Sequence, residues 1–226
     1  MTMPFMKPRR KNPVLRTRQM NLPPFARGRT ALGMTAAAAE GRFALQVCQR
    51  CKAVQYPPRD ACHVCLSPEL EWTAQDGAGE LLSETVLHHS NDPFYRERLP
   101  WRLGLVRLDA GPTVIVHLHG DVPSPSGSAE VRVHVGARLD RADAAVLIGF
   151  PAEESEHMSD DTMLREMTSD PKFRKILVTD GKTEVGQALA RALVKAGAEI
   201  VWVGHAEPWK KLPGLDDITE IGRAHV

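Results

Sequence analysis

Four cysteines, Cys48, Cys51, Cys62 and Cys65, are the only ones in 226 residues, and they fall as two Cys-x-x-Cys pairs ten residues apart. Each pair can present two thiolates from one tight knuckle, and two knuckles complete a tetrahedral shell around a single ion with Zn–S bonds of about 2.3 Å. Such a shell leaves no open position for water, so it stabilises a fold and does not catalyse. Iron would take the same four sulfurs. Clustering of all the cysteines in one short stretch is not a secreted disulfide framework, and no apolar leader opens the chain, which reads as a reducing, cytoplasmic setting. His63, between the knuckles, is expected to be a surface loop residue, because four sulfurs already fill the shell.

The rest of the chain divides around this cluster. Residues 1–42 form a basic, proline-rich arm and a short helix. Eight of the 29 Lys and Arg residues lie in the first 29 positions, which contain no acid, leaving 21 basic against 28 acidic residues elsewhere. An arm of this composition resists regular structure and suits either a solvated tail or contact with an acidic surface, a CoA phosphate or nucleic acid. Thr30 to Glu40, stopped by Gly41, reads as the helix.

From Gly79 to about Phe150 the pattern is of short strands: Leu81 to Leu87, Arg102 to Asp109, Thr113 to His119 and Val131 to Leu139, with a tight turn at Ala110-Gly111-Pro112. Five or so strands in this length suit a small barrel of the oligonucleotide/oligosaccharide-binding (OB) type. Residues 153–172, rich in acids and ending at Pro171, read as a solvated linker with one helical turn around Met163 to Met167. After it, the apolar strand Lys175 to Thr179, helical spacing from Val185 to Ala196 and a second strand at Glu199 to Gly204 make one strand–helix–strand unit of a parallel sheet. No run approaches the ~18 apolar residues of a membrane span.

Several runs carry a specific resemblance. Phe43-Ala-Leu-Gln-Val-Cys-Gln-Arg-Cys51, Tyr56-Pro-Pro-Arg59, Cys62-His-Val-Cys65, Leu70-Glu-Trp72, Gly77-Ala-Gly79, Gly104-Leu-Val-Arg-Leu-Asp109, Gly111-Pro112 and Val135-Gly136 resemble the zinc-ribbon plus OB-fold family that accompanies thiolases and related acyl-CoA enzymes. The resemblance covers about residues 43–150. It implies a zinc ribbon over 43–76 and an OB-fold barrel over 77–152. It also implies a non-catalytic subunit that docks on a thiolase-like or hydratase-like partner and helps hold or pass acyl-CoA.

Other residues invite chemistry less strongly. His88, His89, His117, His119 and His134 have no carboxylate partner at ligand spacing and read as half-exposed strand residues. Arg59, Arg96, Arg98 and Arg102 could meet CoA phosphates or simply be solvated. Asp109 reads as a turn residue. Nucleic-acid binding is an alternative for a barrel of this kind, but aromatics are only 5% of the chain and the barrel offers mainly Phe94, Tyr95, Trp101 and Phe150 for stacking.

Residues 173–226 resemble the start of the short-chain dehydrogenase/reductase family, with its Thr-Gly-x-x-x-Gly-x-Gly turn. The chain reads Thr179-Asp180-Gly181-Lys182-Thr183-Glu184-Val185-Gly186. Thr179, Gly181 and Gly186 are the candidate NAD(P)-binding positions. Asp180 and Glu184 replace two of the motif's glycines, and their charges oppose a dinucleotide phosphate. The family's catalytic Ser, Tyr and Lys would fall beyond residue 226, and 221–226 match the translation of a common sequencing adapter, so a truncated Rossmann-like fragment is expected. The fold class expected overall is multidomain and mainly β, a rubredoxin-like ribbon and a small barrel followed by that incomplete α/β piece.

Overall fold

The computed structural model describes residues 21–24, 28–125, 129–205 and 219–222, with backbone only for 205 and 219–222. Residues 1–20 and 25–27 of the expected basic arm, and 223–226 of the adapter-like end expected over 221–226, lie outside the described residues.

A single 3-10 turn at Arg29–Ala31 leads into helix α1 (Leu32–Ala39). Alanine-rich sequence favours the helix, and a backbone reversal ends it: Gly41 has φ +73°, its N–H reaches Ala38 O, and the N–H of Arg42 reaches Ala37 O. This closes the last turn by satisfying two carbonyls that the helix leaves open. Gly33 allows the closest approach. A Cβ there would stand 2.1 Å from Trp72 Nε1, so the indole lies directly on the helix backbone.

Strands β1 (Ala44–Cys48), β2 (Val54–Gln55) and β3 (Leu70–Ala74) form a three-stranded antiparallel sheet in the order β2-β1-β3. The five-stranded closed barrel follows. It contains β4 (Ala78–Leu87), β5 (Trp101–Leu108), β6 (Thr113–Leu118), β7 (Arg132–Leu139) and β8 (Ala145–Pro151), ordered β4-β5-β6-β8-β7. β4 pairs with β5 from Gly79 to Leu87 and with β7 at Ala78, Gly79 and Glu80, and a bulge between Leu81 and Ser83 shifts its register on β5. Closure comes from a short parallel pairing of β6 with β8, His117 beside Ile148 and Leu118 beside Gly149. β8 was not among the strands named from sequence. Every residue in it is buried, so it has no polar alternation to mark it.

One core runs through the ribbon sheet, α1 and the barrel, joining Met34, Phe43 and Leu45 to Val106, Val116, Val135 and Leu147. Ribbon and barrel are therefore packed as one body. A second core lies outside the barrel, where Phe94 and Trp101 meet Val146, Ile148 and Phe150 under Met163, Leu164 and Met167 of helix α3 (Thr162–Met167). The short helix α2 (Pro93–Arg96), capped by Asp92, supplies Phe94.

That second core corrects the expectation of a solvated linker over 153–172. Glu153, Glu154, Glu156 and Asp160 do face water, and Asp161 caps the helix, accepting from the N–H groups of Met163 and Gly120. The three apolar residues of α3 are nevertheless buried, Met167 to 1% exposure. The C-terminal end of α3 is held by arginines: Arg141 and Arg174 both donate to Arg165 O, at 3.0 and 2.9 Å. Cations at a helix C-terminus meet its partial negative charge.

Strand β9 (Lys175–Val178), helix α4 (Glu184–Lys195) and strand β10 (Ile200–His205) form a unit with β9 and β10 parallel, and β11 (Thr219–Gly222) pairs parallel to β10. Val178, Ala190, Val201 and Val203 are its buried centre.

Candidate metal centre

Each knuckle is built the same way. Cys48 N–H donates to Ala53 O and Lys52 N–H returns to Cys48 O; Cys62 N–H donates to Ser67 O and Leu66 N–H returns to Cys62 O, all at 2.9–3.0 Å. The residue after each pair turns the chain through the left-handed region, Lys52 at φ +63° and Leu66 at φ +59°. Both are non-glycine residues in a conformation that costs roughly 1–2 kcal/mol.

The two turns bring all four Sγ atoms within 4.8 Å of one another. The closest pairs cross between knuckles, Cys48 to Cys65 and Cys51 to Cys62, each at 3.5 Å. A tetrahedron of sulfurs at 2.3 Å from a central ion has edges of about 3.8 Å, so the spacing fits a four-thiolate shell. The electrostatics fit as well. The N–H groups of Cys51 and Arg50 lower the Cys48 thiol to about 6, and those of Cys65 and Val64 lower Cys62. For Cys51 the Ala53 N–H pulls the same way, but burial and the three neighbouring sulfurs outweigh it and push the thiol up to about 12. Two of the four sulfurs are thus shifted toward the thiolate form. Crowding among them is what a divalent cation relieves.

A buried amide network holds the knuckles in register. Gln55 Nε2 donates to Gln46 Oε1 at 3.0 Å, and Gln46 bonds both the N–H and the O of Arg59. Gln55 Oε1 accepts from the N–H and Nδ1 of His63. His63 stays exposed and outside the sulfur cluster, as a loop residue. The two glutamines were not singled out in the sequence; two polar residues on short strands flanking a knuckle were the available signal.

With the geometry in place, the comparisons become specific. Residues 35–71 match the model of the ChsH2 rubredoxin-like zinc ribbon domain, and residues 72–142 match that of the ChsH2 C-terminal OB-fold domain. Both models describe ChsH2 domains, and the two matches adjoin along the chain. A zinc ribbon with four clustered cysteines supports a structural Zn2+ held by Cys48, Cys51, Cys62 and Cys65. Among solved structures, one titled "Ltp2-ChsH2(DUF35) aldolase" is 25% identical, covers 57% of this chain and 100% of its own, and has a TM-score of 0.49. Comparison with curated proteins gives no match.

The remaining sequence candidates fall elsewhere. Arg102 is committed on β5: it meets Glu84 Oε1 at 2.6 Å and donates to the carbonyls of His119, Gly120 and Val122. Arg98 meets Glu166 at 2.7 Å and Phe94 O at 2.8 Å, so neither guanidinium is a simple solvated group. Asp109 follows β5 and pairs with Arg132. His119 corrects the half-exposed reading. It is 0% exposed, its Nδ1 accepts from Asp121 N–H and its ring lies 5.8 Å from Phe150. His117 accepts from Trp101 Nε1 at 2.8 Å. Phe94, Trp101 and Phe150 are buried in the second core, and Tyr95 packs on His117, so these rings pack on protein.

Thr179, Gly181 and Gly186 are gathered at the β9–α4 turn, and close backbone packing accounts for Gly186. Gly181 N–H donates to Gly204 O at 3.0 Å. A Cβ on Gly186 would stand 1.9 Å from Asp180 O. Thr183 caps α4 by accepting from Gly186 N–H at 3.0 Å. Among the described residues no helix is long and apolar enough to cross a membrane.

Proposed function

We propose that the chain is a non-catalytic, zinc-stabilised accessory subunit that docks on a thiolase-like acyl-CoA enzyme and helps hold its acyl-CoA substrate. The observation that carries this reading is the unbroken match of residues 35–142 to the ribbon and barrel domains of ChsH2, in that order. The sulfur cage adds support, since a filled four-thiolate shell has no position for substrate or water.

The ribbon also offers a means of docking. Val64 and Leu66 project from the second knuckle at 63% and 77% exposure. A leucine kept outward at a left-handed backbone position spends stability without gaining a core contact, the pattern of an interface anchor. Co-expression with a thiolase-like enzyme encoded beside this gene tests the proposal. A stoichiometric complex that Leu66→Glu abolishes supports it, and a chain that purifies alone under the same conditions counts against it.

A second reading attaches to the C-terminal unit, favoured by the parallel β9–β10 pair joined through α4. As part of a short-chain dehydrogenase/reductase-like domain it would take NAD(P) at the β9–α4 turn. Against that, the Gly181 N–H is spent on Gly204, and Asp180 and Glu184 bring negative charge to the place of the pyrophosphate. Tight binding of NADPH to the longer gene product would favour this reading; no thermal shift with either dinucleotide would leave it unsupported.

A further inference from the structure

A cavity of about 850 Å3 opens between the end of α1, strands β7 and β8, and the segment 151–173 folded back over them. Small-molecule sites have volumes of roughly 300–1,000 Å3. Its walls are of two kinds. Phe43, Phe150, Phe173 and Leu164 supply apolar surface. Arg138 and Lys172 set cations over two of the rings, the Arg138 guanidinium carbon 5.5 Å from the Phe150 centroid and Lys172 Nζ 4.8 Å from that of Phe173.

The formal charges on the walls balance, Arg138 and Lys172 against Glu154 and Asp170, but they are unevenly paired. Lys172 meets Asp170 at 3.8 Å, and Glu154 lies on the same wall. Arg138 donates to Ala137 O at 2.9 Å, and among the described residues it forms no ion pair with a carboxylate. A guanidinium set over a phenyl ring at the mouth of a cavity, free of a carboxylate partner, is suited to a phosphate. The cavity is also displaced from the face that barrels of this type ordinarily use, the second and third strands, here β5 and β6.

We propose that this cavity on the β7–β8 wall binds an amphiphile whose apolar chain lies against the phenyl rings and whose phosphate-bearing head meets Arg138 and Lys172. Rings and cations define the two-ended chemistry; taking the ligand as an acyl-CoA thioester rests on the function proposed above.

Calorimetric titration of the whole purified chain with octanoyl-CoA, CoA and octanoate tests it. Octanoyl-CoA is expected to bind at least about tenfold more tightly than either fragment. Arg138→Glu, which reverses an exposed charge, and Ala39→Trp, which fills the cavity from the exposed end of α1, are each expected to weaken it about tenfold. Circular dichroism and the thermal midpoint establish that the variants are folded; should Ala39→Trp unfold, Arg138→Glu carries the test. Undiminished binding by the folded variants overturns the site, octanoate binding as tightly as octanoyl-CoA overturns the thioester, and no binding of octanoyl-CoA overturns the proposal. A chain that co-purifies with its enzyme yet ignores octanoyl-CoA loses only the cavity. One that binds octanoyl-CoA but no enzyme loses only the docking.

Discussion

At Leu66 two costs coincide, a φ of +59° and an apolar side chain 77% exposed. Glycine would remove both, although it gives back some stability by loosening the unfolded chain. Leu66→Gly is therefore expected to leave the thermal midpoint within a few degrees of the parent while weakening partner binding at least about tenfold, read by calorimetry or co-purification. Zinc binding has its own residue-scale signature. Metal must displace the proton that Cys51 keeps up to about 12, and acid below about 6 returns one to Cys48 as well. Zinc uptake at neutral pH should release protons, and retention should fall with acid, most steeply below about pH 6; competition with a chromophoric chelator across pH measures both. Glu84 gives a second pH dependence. Its hydrogen bond with Arg102 lowers its pKa in the fold, so its stabilisation is present above the ordinary carboxylate range near pH 4.3 and is lost as pH falls through the lower folded value. Glu84→Gln should cost about 1–2 kcal/mol at neutral pH and almost nothing in acid, by urea unfolding at both. The four cysteines were legible because metal geometry demands a spacing. The buried His119 was not, because it follows the end of β6 directly after buried Leu118, where the strand's alternation no longer sets which way a side chain faces.

At the scale of elements, the barrel was legible wherever one face of a strand is wet, as in β5 and β6, where buried and exposed residues alternate. It was lost at β8, buried throughout. α3 shows the complementary failure. Its six residues sit in a run of acids that reads as solvated, yet Met163, Leu164 and Met167 share one helical face and close the second core. Composition averaged over the segment hid a three-residue stripe. Met167→Ala is expected to cost about 2–5 kcal/mol, since it empties a fully buried site. If the segment were only a linker, denaturant unfolding would show no change.

For the molecule as a whole, the boundary read at residues 76 and 77 crosses a shared core, in which Phe43 and Leu45 of the ribbon side pack with Val135 and Leu147 of the barrel. Sequence marks such a join poorly, because each half carries its own pattern and the contacts between them are far apart in the chain. A consequence is that metal removal should not melt the ribbon alone but lower the stability of the barrel with it. The claim on which all else depends is that four sulfurs close on one ion to build a docking piece. Native mass spectrometry of the purified chain measures it directly. One zinc per folded chain is expected, with the folded charge states collapsing when the metal is stripped; a folded, metal-free chain with its ribbon intact would contradict it.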